Sequence, residues 1–471
     1  MANSALIAVW AFMMCAACMT ALWFGFRRRI VTPWILFLLM SIFDMFIPAG
    51  LTAMGFNWAA RGINNRWAVE WVAPTARLML GRAVLVATVA TALFGMGYLA
   101  ASRIRTGRRA LYRFHRGRAI LLFVLAAAGY LIFLFSQLAV YGSFAAVLDY
   151  FVANRFAGAA PQAGANMLLA VSLDIYLLEL IAIIFFVHSR SRTSRLLWFL
   201  AGLVVASLRL FRGSVLVYLL ALAVLEQEGV QRFGRHLTRL LQRREVRRRV
   251  YAFLAIGAVL FTGYGVLRNV ATARSGRLEM TFGNSMMIEM DRFVRGEGLV
   301  GLASVLDFYP RNAQFFHGKT IRDMLLLPVP RLIWPSKPSW YGIDDITRTM
   351  GWPQSTGSPV SMPGELYANF GYPGIALMFV YGLLFGAFAA MAGSSRVRFI
   401  YALFLLPAML PTFWMGFTGF MNHLVAIPLA LITLVVVFRP LRVLTVRVVG
   451  RERRLAGSPQ WPVHPLGRTS Q

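Results

Sequence analysis

One stretch of this 471-residue chain gathers the side chains best suited to polar chemistry. Residues 269–370 hold both lysines, Lys319 and Lys337, and half of the 18 acidic residues. Within it lie FHGKTIRDMLLLPVPRLIWPSKPSWYGIDDITRTM, with His317, Arg331, Trp334, Asp344 and Asp345, and then GELYANFGYPG, with Glu365, Tyr367 and Asn369. Arg209 and Arg212 interrupt an apolar run ahead of it, and Arg268 and Arg274 sit at the exit of another, where the stretch begins. Carboxylates and imidazoles in such a set can exchange protons. Guanidinium and ammonium groups can hold an anion.

The elements that must carry these residues follow from composition. Hydrophobic residues make up 58% of the chain and charged ones only 14%, against about 25% in soluble domains. The uncharged residues fall into runs bounded by arginines, at the length a bilayer core of about 30 Å requires of a helix. The chain therefore reads as an all-α, polytopic helical membrane protein, and an ordinary soluble enzyme is excluded. The excess of 48 Lys+Arg over 18 Asp+Glu lies between apolar runs rather than on a soluble face, which argues against a nucleic-acid partner. Cys15 and Cys18 share the first apolar run, so neither a disulfide framework nor a four-ligand metal site is expected. That run lacks a basic leader and precedes Arg27, Arg28 and Arg29, as a retained anchor does.

Arginine-rich loops mark the cytoplasmic side. On that basis the sequence threads about 11 spans, with the N-terminus outside and the C-terminus inside. Spans are expected at 5–26, 30–55, 83–102, 119–138 and 166–187, with basic inner segments at 103–118 and 189–195. Residues 196–225 read as a short hairpin around Arg209 and Arg212, because a single crossing would put the basic segment 232–249 on the wrong side. An eighth span at 250–268 completes an N-terminal bundle, 1–268. A large external loop, 269–370, follows, then C-terminal spans over 371–438 and a basic cytoplasmic tail, 439–471. No internal repeat is visible. Pro328, Pro330, Pro335 and Pro338 rule out a continuous helix in the loop, and Trp334 and Trp340 suit the bilayer interface. Intramembrane acids Asp44, Asp174 and Glu179 are too costly to face lipid; pairing with arginines such as Arg209, or a proton path, would account for them.

The run PVPRLIWPSKP, followed some twenty-five residues later by GELYANFGYPG, resembles the corresponding region of the bacterial O-antigen polymerases, the Wzy-type oligosaccharide repeat-unit polymerases. The likeness covers about residues 315–375 at motif level and the remainder in layout. It implies a glycosyltransferase of the inner membrane, facing the periplasm, that passes a growing glycan from undecaprenyl diphosphate to the sugar hydroxyl of an incoming lipid-linked repeat unit. A chain-length regulator is a further implied partner, beside membrane lipids. Such a reaction needs fixed positive charge where the diphosphate departs and a base for the attacking hydroxyl. No Asp-x-Asp motif is present to hold a metal, and the expectation is a reaction without metal or other cofactor.

In that scheme Arg331 acts catalytically, and Arg209, Arg212, Arg268, Arg274 and Lys337 bind diphosphate, since a guanidinium grips phosphate oxygens bidentately. Snorkelling to lipid headgroups is the plainer alternative for these cations. Glu365 is the first choice of base, with His317 and His423 next; a helix-capping charge is the alternative for Glu365. Trp334, Tyr367 and Asn369 are expected to touch sugar, and Asp344 and Asp345 either bind hydroxyls or are simply solvated. An O-antigen ligase, or a flippase or transporter of the same lipid-linked sugars, are the competing functions. The long external segment argues against a transporter.

Overall fold

The computed structural model describes residues 2–26, 33–54, 74–102, 112–143, 146–147, 177–189, 191–208, 218–219, 221–222, 296–326, 342–351, 360–391, 413 and 436–440. Nearly all of them are helical. Helix α1 covers Ala2–Phe26. The second apolar run is α2 (Pro33–Ser41), a π-helical turn (Ile42–Phe46) and α3 (Ile47–Ala53) in direct succession. Helices α4 (Pro74–Ser102), α5 (Arg116–Tyr141), α6 (Leu177–His188) and α7 (Arg192–Leu208) follow. After them come α8 (Glu297–Phe308), α9 (Lys319–Leu325), α10 (Ile343–Thr349) and α11 (Met362–Phe370), then a 3-10 turn (Tyr372–Ala376) and α12 (Leu377–Met391).

Among the described residues, five helical stretches are long and apolar enough to cross a membrane: Ser4–Leu22, Pro33–Ala53, Met79–Ala101, Arg116–Tyr141 and Tyr372–Ala390. The helix at Pro74 starts nine residues before the expected span, because Pro74 fits the first turn of a helix and the arginines that follow are good helix formers. The outer face of α5 is apolar and bare, with Ile132 70%, Phe135 67% and Val140 71% exposed. Such a surface suits lipid and would be unusual in water.

The main core is built around α4 and α12, which approach to backbone contact. A Cβ on Gly97 would lie 2.1 Å from the Phe379 carbonyl oxygen, one on Gly382 2.1 Å from that of Phe94, and one on Gly386 2.6 Å from that of Tyr98. The pair Gly382 and Gly386 is a G-x-x-x-G spacing, the small-residue pattern that lets membrane helices touch. Contacts advance together along both chains, Phe94 with Gly382 and Ala101 with Gly386, so the two helices run parallel. Rings seal one side: Phe37 stacks on Phe94 at 4.2 Å, Phe385 meets Phe94 edge-on at 5.7 Å, and Phe413 lies 5.1 Å from Phe37.

Residues from the segment expected as an external loop take part in this same core. Leu299, Leu302 and Val305 of α8, Ile343 and Ile346 of α10, and Leu366 of α11 are buried with Phe46, Phe94 and Phe385. A second cluster joins α5, α6 and α7. There Tyr218 donates to the Phe199 carbonyl at 3.0 Å. A straight helix would separate these residues by about 28 Å, so they do not belong to one continuous rod. Two short strands, β1 (Tyr112–Phe114) and β2 (Phe438–Pro440), pair antiparallel, with Arg113 opposite Arg439. The first belongs to a segment expected on the inner side, and the second straddles the end of the last expected span and the tail.

Candidate functional site

The GELYANFG residues form α11, a short helix with almost every residue buried. Ser361 caps it, held at φ 64°, and its hydroxyl accepts from the Gly364 N–H at 3.4 Å. Pro363 sits in the first turn, where its missing N–H is harmless. Glu365 also lies in that turn, where the helix dipole favours an acid. Four residues on, hence on the same face, comes Asn369. Its Nδ2 donates to the Glu365 carbonyl at 2.8 Å and to Thr320 Oγ1 at 2.7 Å, and the Thr320 hydroxyl donates to Glu365 Oε1 at 3.3 Å. Glu365 is 1% exposed, and Thr320 and Asn369 are wholly buried. A buried carboxylate is tolerable only when hydrogen-bonded, and Thr320 supplies one such bond.

The strand of chain ahead of α9 is laced onto the end of α11. The Phe316 N–H donates to the Ala368 carbonyl at 3.0 Å and the His317 N–H to that of Asn369 at 2.8 Å. His317 then turns at φ 48° and Gly318 at φ 82°, two successive left-handed residues. A side chain at Gly318 would both strain the backbone and press on the Phe370 ring at 3.0 Å. The His317 side chain is exposed, while Thr320, Glu365 and Asn369, which the turn adjoins through its backbone, are buried.

Charges surround this turn. The Lys319 ammonium contacts Asp345 and lies 3.8 Å from Asp323 and 5.8 Å from the centre of the Phe316 ring. Arg322 holds Asp323 at 2.9 Å. Asp344 is exposed. Lost hydration first, then the neighbouring Asp345 charge, raise its carboxyl above the ordinary range. Burial pushes the Tyr309 phenol up to about 12. Burial and Tyr372 also raise the Tyr367 phenol, against the opposing charges of Arg82 and Arg311. The Tyr367 hydroxyl donates to the Tyr309 carbonyl at 3.4 Å, and its ring meets Tyr372 edge-on at 5.1 Å.

Of the residues singled out from the sequence, the structure brings together His317, Glu365, Tyr367 and Asn369, with Asp344 and Asp345 nearby. Asp44 has an unforeseen partner, the Gly298 amide, whose N–H lies 3.1 Å from both carboxylate oxygens. Glu179 is buried in α6. Arg209, Arg212, Arg268, Arg274, Arg331, Trp334, Lys337, Asp174 and His423 lie outside the described residues. Glu365 is 1% exposed, whereas His317 is exposed.

Sequence reasoning overlooked Thr320, Asp323 and Arg82. Only the i,i+4 spacing of Lys319 and Asp323 offered a signal for the second. A threonine carries none. Arg82 is exposed near the start of the third span, and among the described residues no carboxylate pairs with it. Among the described residues no three side chains of His, Cys, Asp or Glu converge as metal ligands would. The sequence matches no family model, no curated protein and no solved structure.

Proposed function

We propose that this protein is a membrane glycosyltransferase that polymerises undecaprenyl-diphosphate-linked oligosaccharide repeat units at the periplasmic face of the bacterial inner membrane. The observation that carries the reading is the joining of the two segments flanking the proline-rich run: FHGKT and GELYANF meet through Thr320, Glu365 and Asn369, with an exposed imidazole at the seam. The motif resemblance supplies the substrate class.

In the reaction, a hydroxyl of the incoming unit attacks the anomeric carbon of the growing chain. The new C–O bond forms as the bond to the diphosphate oxygen breaks. The hydroxyl proton passes to His317, and the electron pair leaves with undecaprenyl diphosphate. Glu365, Thr320 and Asn369 hold the turn that presents His317, so Glu365 acts as a positioning residue rather than touching substrate. Arg331 stabilises the departing diphosphate, with Arg209, Arg212, Arg268, Arg274 and Lys337 as further cationic contacts, and Arg82 joins them at the Tyr367 end. Trp334 and Asp345 border the glycan, and Tyr367 lies buried with its hydroxyl on the Tyr309 carbonyl.

The test uses purified protein and lipid-linked repeat units without nucleotide sugar, followed by gel analysis. A ladder of chain lengths that disappears in His317→Ala and Arg331→Ala is expected. Absence of any ladder from the unaltered protein, or normal ladders from both variants, would refute the proposal.

A further inference from the structure

The contact between Asp44 and Gly298 joins the second span to the helix that leads into the site. Asp44 is the twelfth residue of the 21-residue stretch Pro33–Ala53, about 16 Å from its start and thus near its middle. There the helix widens into the π-helical turn Ile42–Phe46, a local defect often found at functional positions. Helix α8 begins against this turn. Its N-cap, Gly296, has no side chain to satisfy the first N–H groups, so the Asp44 carboxylate does so from 254 residues away, both oxygens 3.1 Å from the Gly298 nitrogen.

The fit admits nothing larger than glycine. A Cβ on Gly298 would lie 2.1 Å from Asp44 Oδ2, and one on Gly296, at φ 65°, would lie 2.2 Å from the Asp44 carbonyl oxygen. An open helix end in an apolar layer has no water to satisfy it, and a carboxylate there also complements the helix dipole.

Helix α8 rises about 16 Å from Gly298 to Tyr309. Tyr309 stacks on Phe315 at 6.3 Å, leans on Phe316 at 5.9 Å and accepts the Tyr367 hydroxyl through its carbonyl. Phe316 directly precedes His317. We infer that Asp44 is a positioning residue for the His317 turn: by capping α8 it fixes the height of Tyr309, and so of the aromatic shelf on which the turn rests.

What the site does rests on the polymerase reading, so the first readout avoids activity. In a Cys15→Ala, Cys18→Ala background, the maleimide labelling rate is measured for Ala313→Cys, between Tyr309 and Phe315, and for Ala126→Cys, in a separate cluster. Adding Asp44→Ala should speed labelling at position 313 by roughly 5- to 30-fold, the range for a lost helix cap, and leave position 126 unchanged. Asp44→Asn, which keeps one oxygen acceptor but loses the charge, should speed labelling at position 313 measurably but by less than Asp44→Ala, and serves as the test if Asp44→Ala does not fold. In elongation assays Asp44→Ala should lower kcat about tenfold or more with KM little changed, as misplacement of a reacting group does, and Asn should rescue it in part.

Equal acceleration at both reporters, or no change at position 313 in either variant, would overturn the inference. If the unaltered protein does not elongate glycans, the polymerase reading fails while the labelling still decides the role of Asp44.

Discussion

Replacing Gly382 by alanine tests the packing on which the whole arrangement stands. The new methyl carbon would lie 2.1 Å from the Phe94 carbonyl oxygen, where ordinary contact begins beyond 3 Å, so α4 and α12 must part by about 1 Å. A gap of that size forfeits a quarter to a half of each contact energy of about 0.15 kcal/mol; over on the order of thirty atom pairs the loss is about 1.5 kcal/mol. That falls within the roughly 1–3 kcal/mol seen when a methyl is forced into a packed core. Higher helix propensity offsets at most about 1 kcal/mol. Gly117→Ala is the control, since nothing lies within 4 Å of its Cβ position. Unfolding in mixed micelles, followed by circular dichroism across a denaturing-detergent titration, should show Gly382→Ala less stable than the unaltered protein and Gly117→Ala equal or more stable. A Gly382→Ala midpoint at or above that of Gly117→Ala would refute the close approach of the two helices.

Thr320→Val should lower stability by about 1–3 kcal/mol, because it strips a hydroxyl from the buried Glu365 and Asn369 side chains; Thr320→Ser should retain most of it, as thermal unfolding in detergent will show. His317→Gly relieves a left-handed residue worth about 1 kcal/mol, so the variant should melt no earlier than the unaltered protein while failing to elongate glycan. Asp344 has a raised carboxyl pKa in the folded chain, so its stability contribution is complete below the unfolded carboxylate value and falls away as pH rises through the folded one. Asp344→Asn should therefore melt higher than the unaltered protein at neutral pH, with the difference vanishing in acid; a constant difference across pH would contradict the shift.

Some of this was legible in the sequence for reasons that are local. Apolar runs of bilayer length and arginine-flanked ends mark α1, α4, α5 and α12, and Glu365 stood out both as a possible base and as a first-turn acid. The burial of Glu365 depends on α9 packing over α11, which no local pattern records. Asp44 was recognised as too costly for lipid, yet it meets a backbone amide on the far side of six further expected spans. Nothing about a glycine announces that role. Residues 299–306 fall within the polar segment 269–370 expected as an external loop, although their apolar face lines the main core. The G-x-x-x-G pair passed unnoticed because small residues are common in such a chain and only the facing helix gives them meaning.

The strand register ties Tyr112 to Pro440, two residues separated by most of the polypeptide. At about 5–20 residues per second, a ribosome takes roughly 15–65 s to make the intervening chain. For that interval the hydrogen-bonding edge of the earlier strand is without its mate, in the way that invites pairing with other chains. Biogenesis thus has a clock built into the connectivity: the early helices insert and wait, and the clasp between Phe114 and Phe438 closes only when synthesis is nearly over.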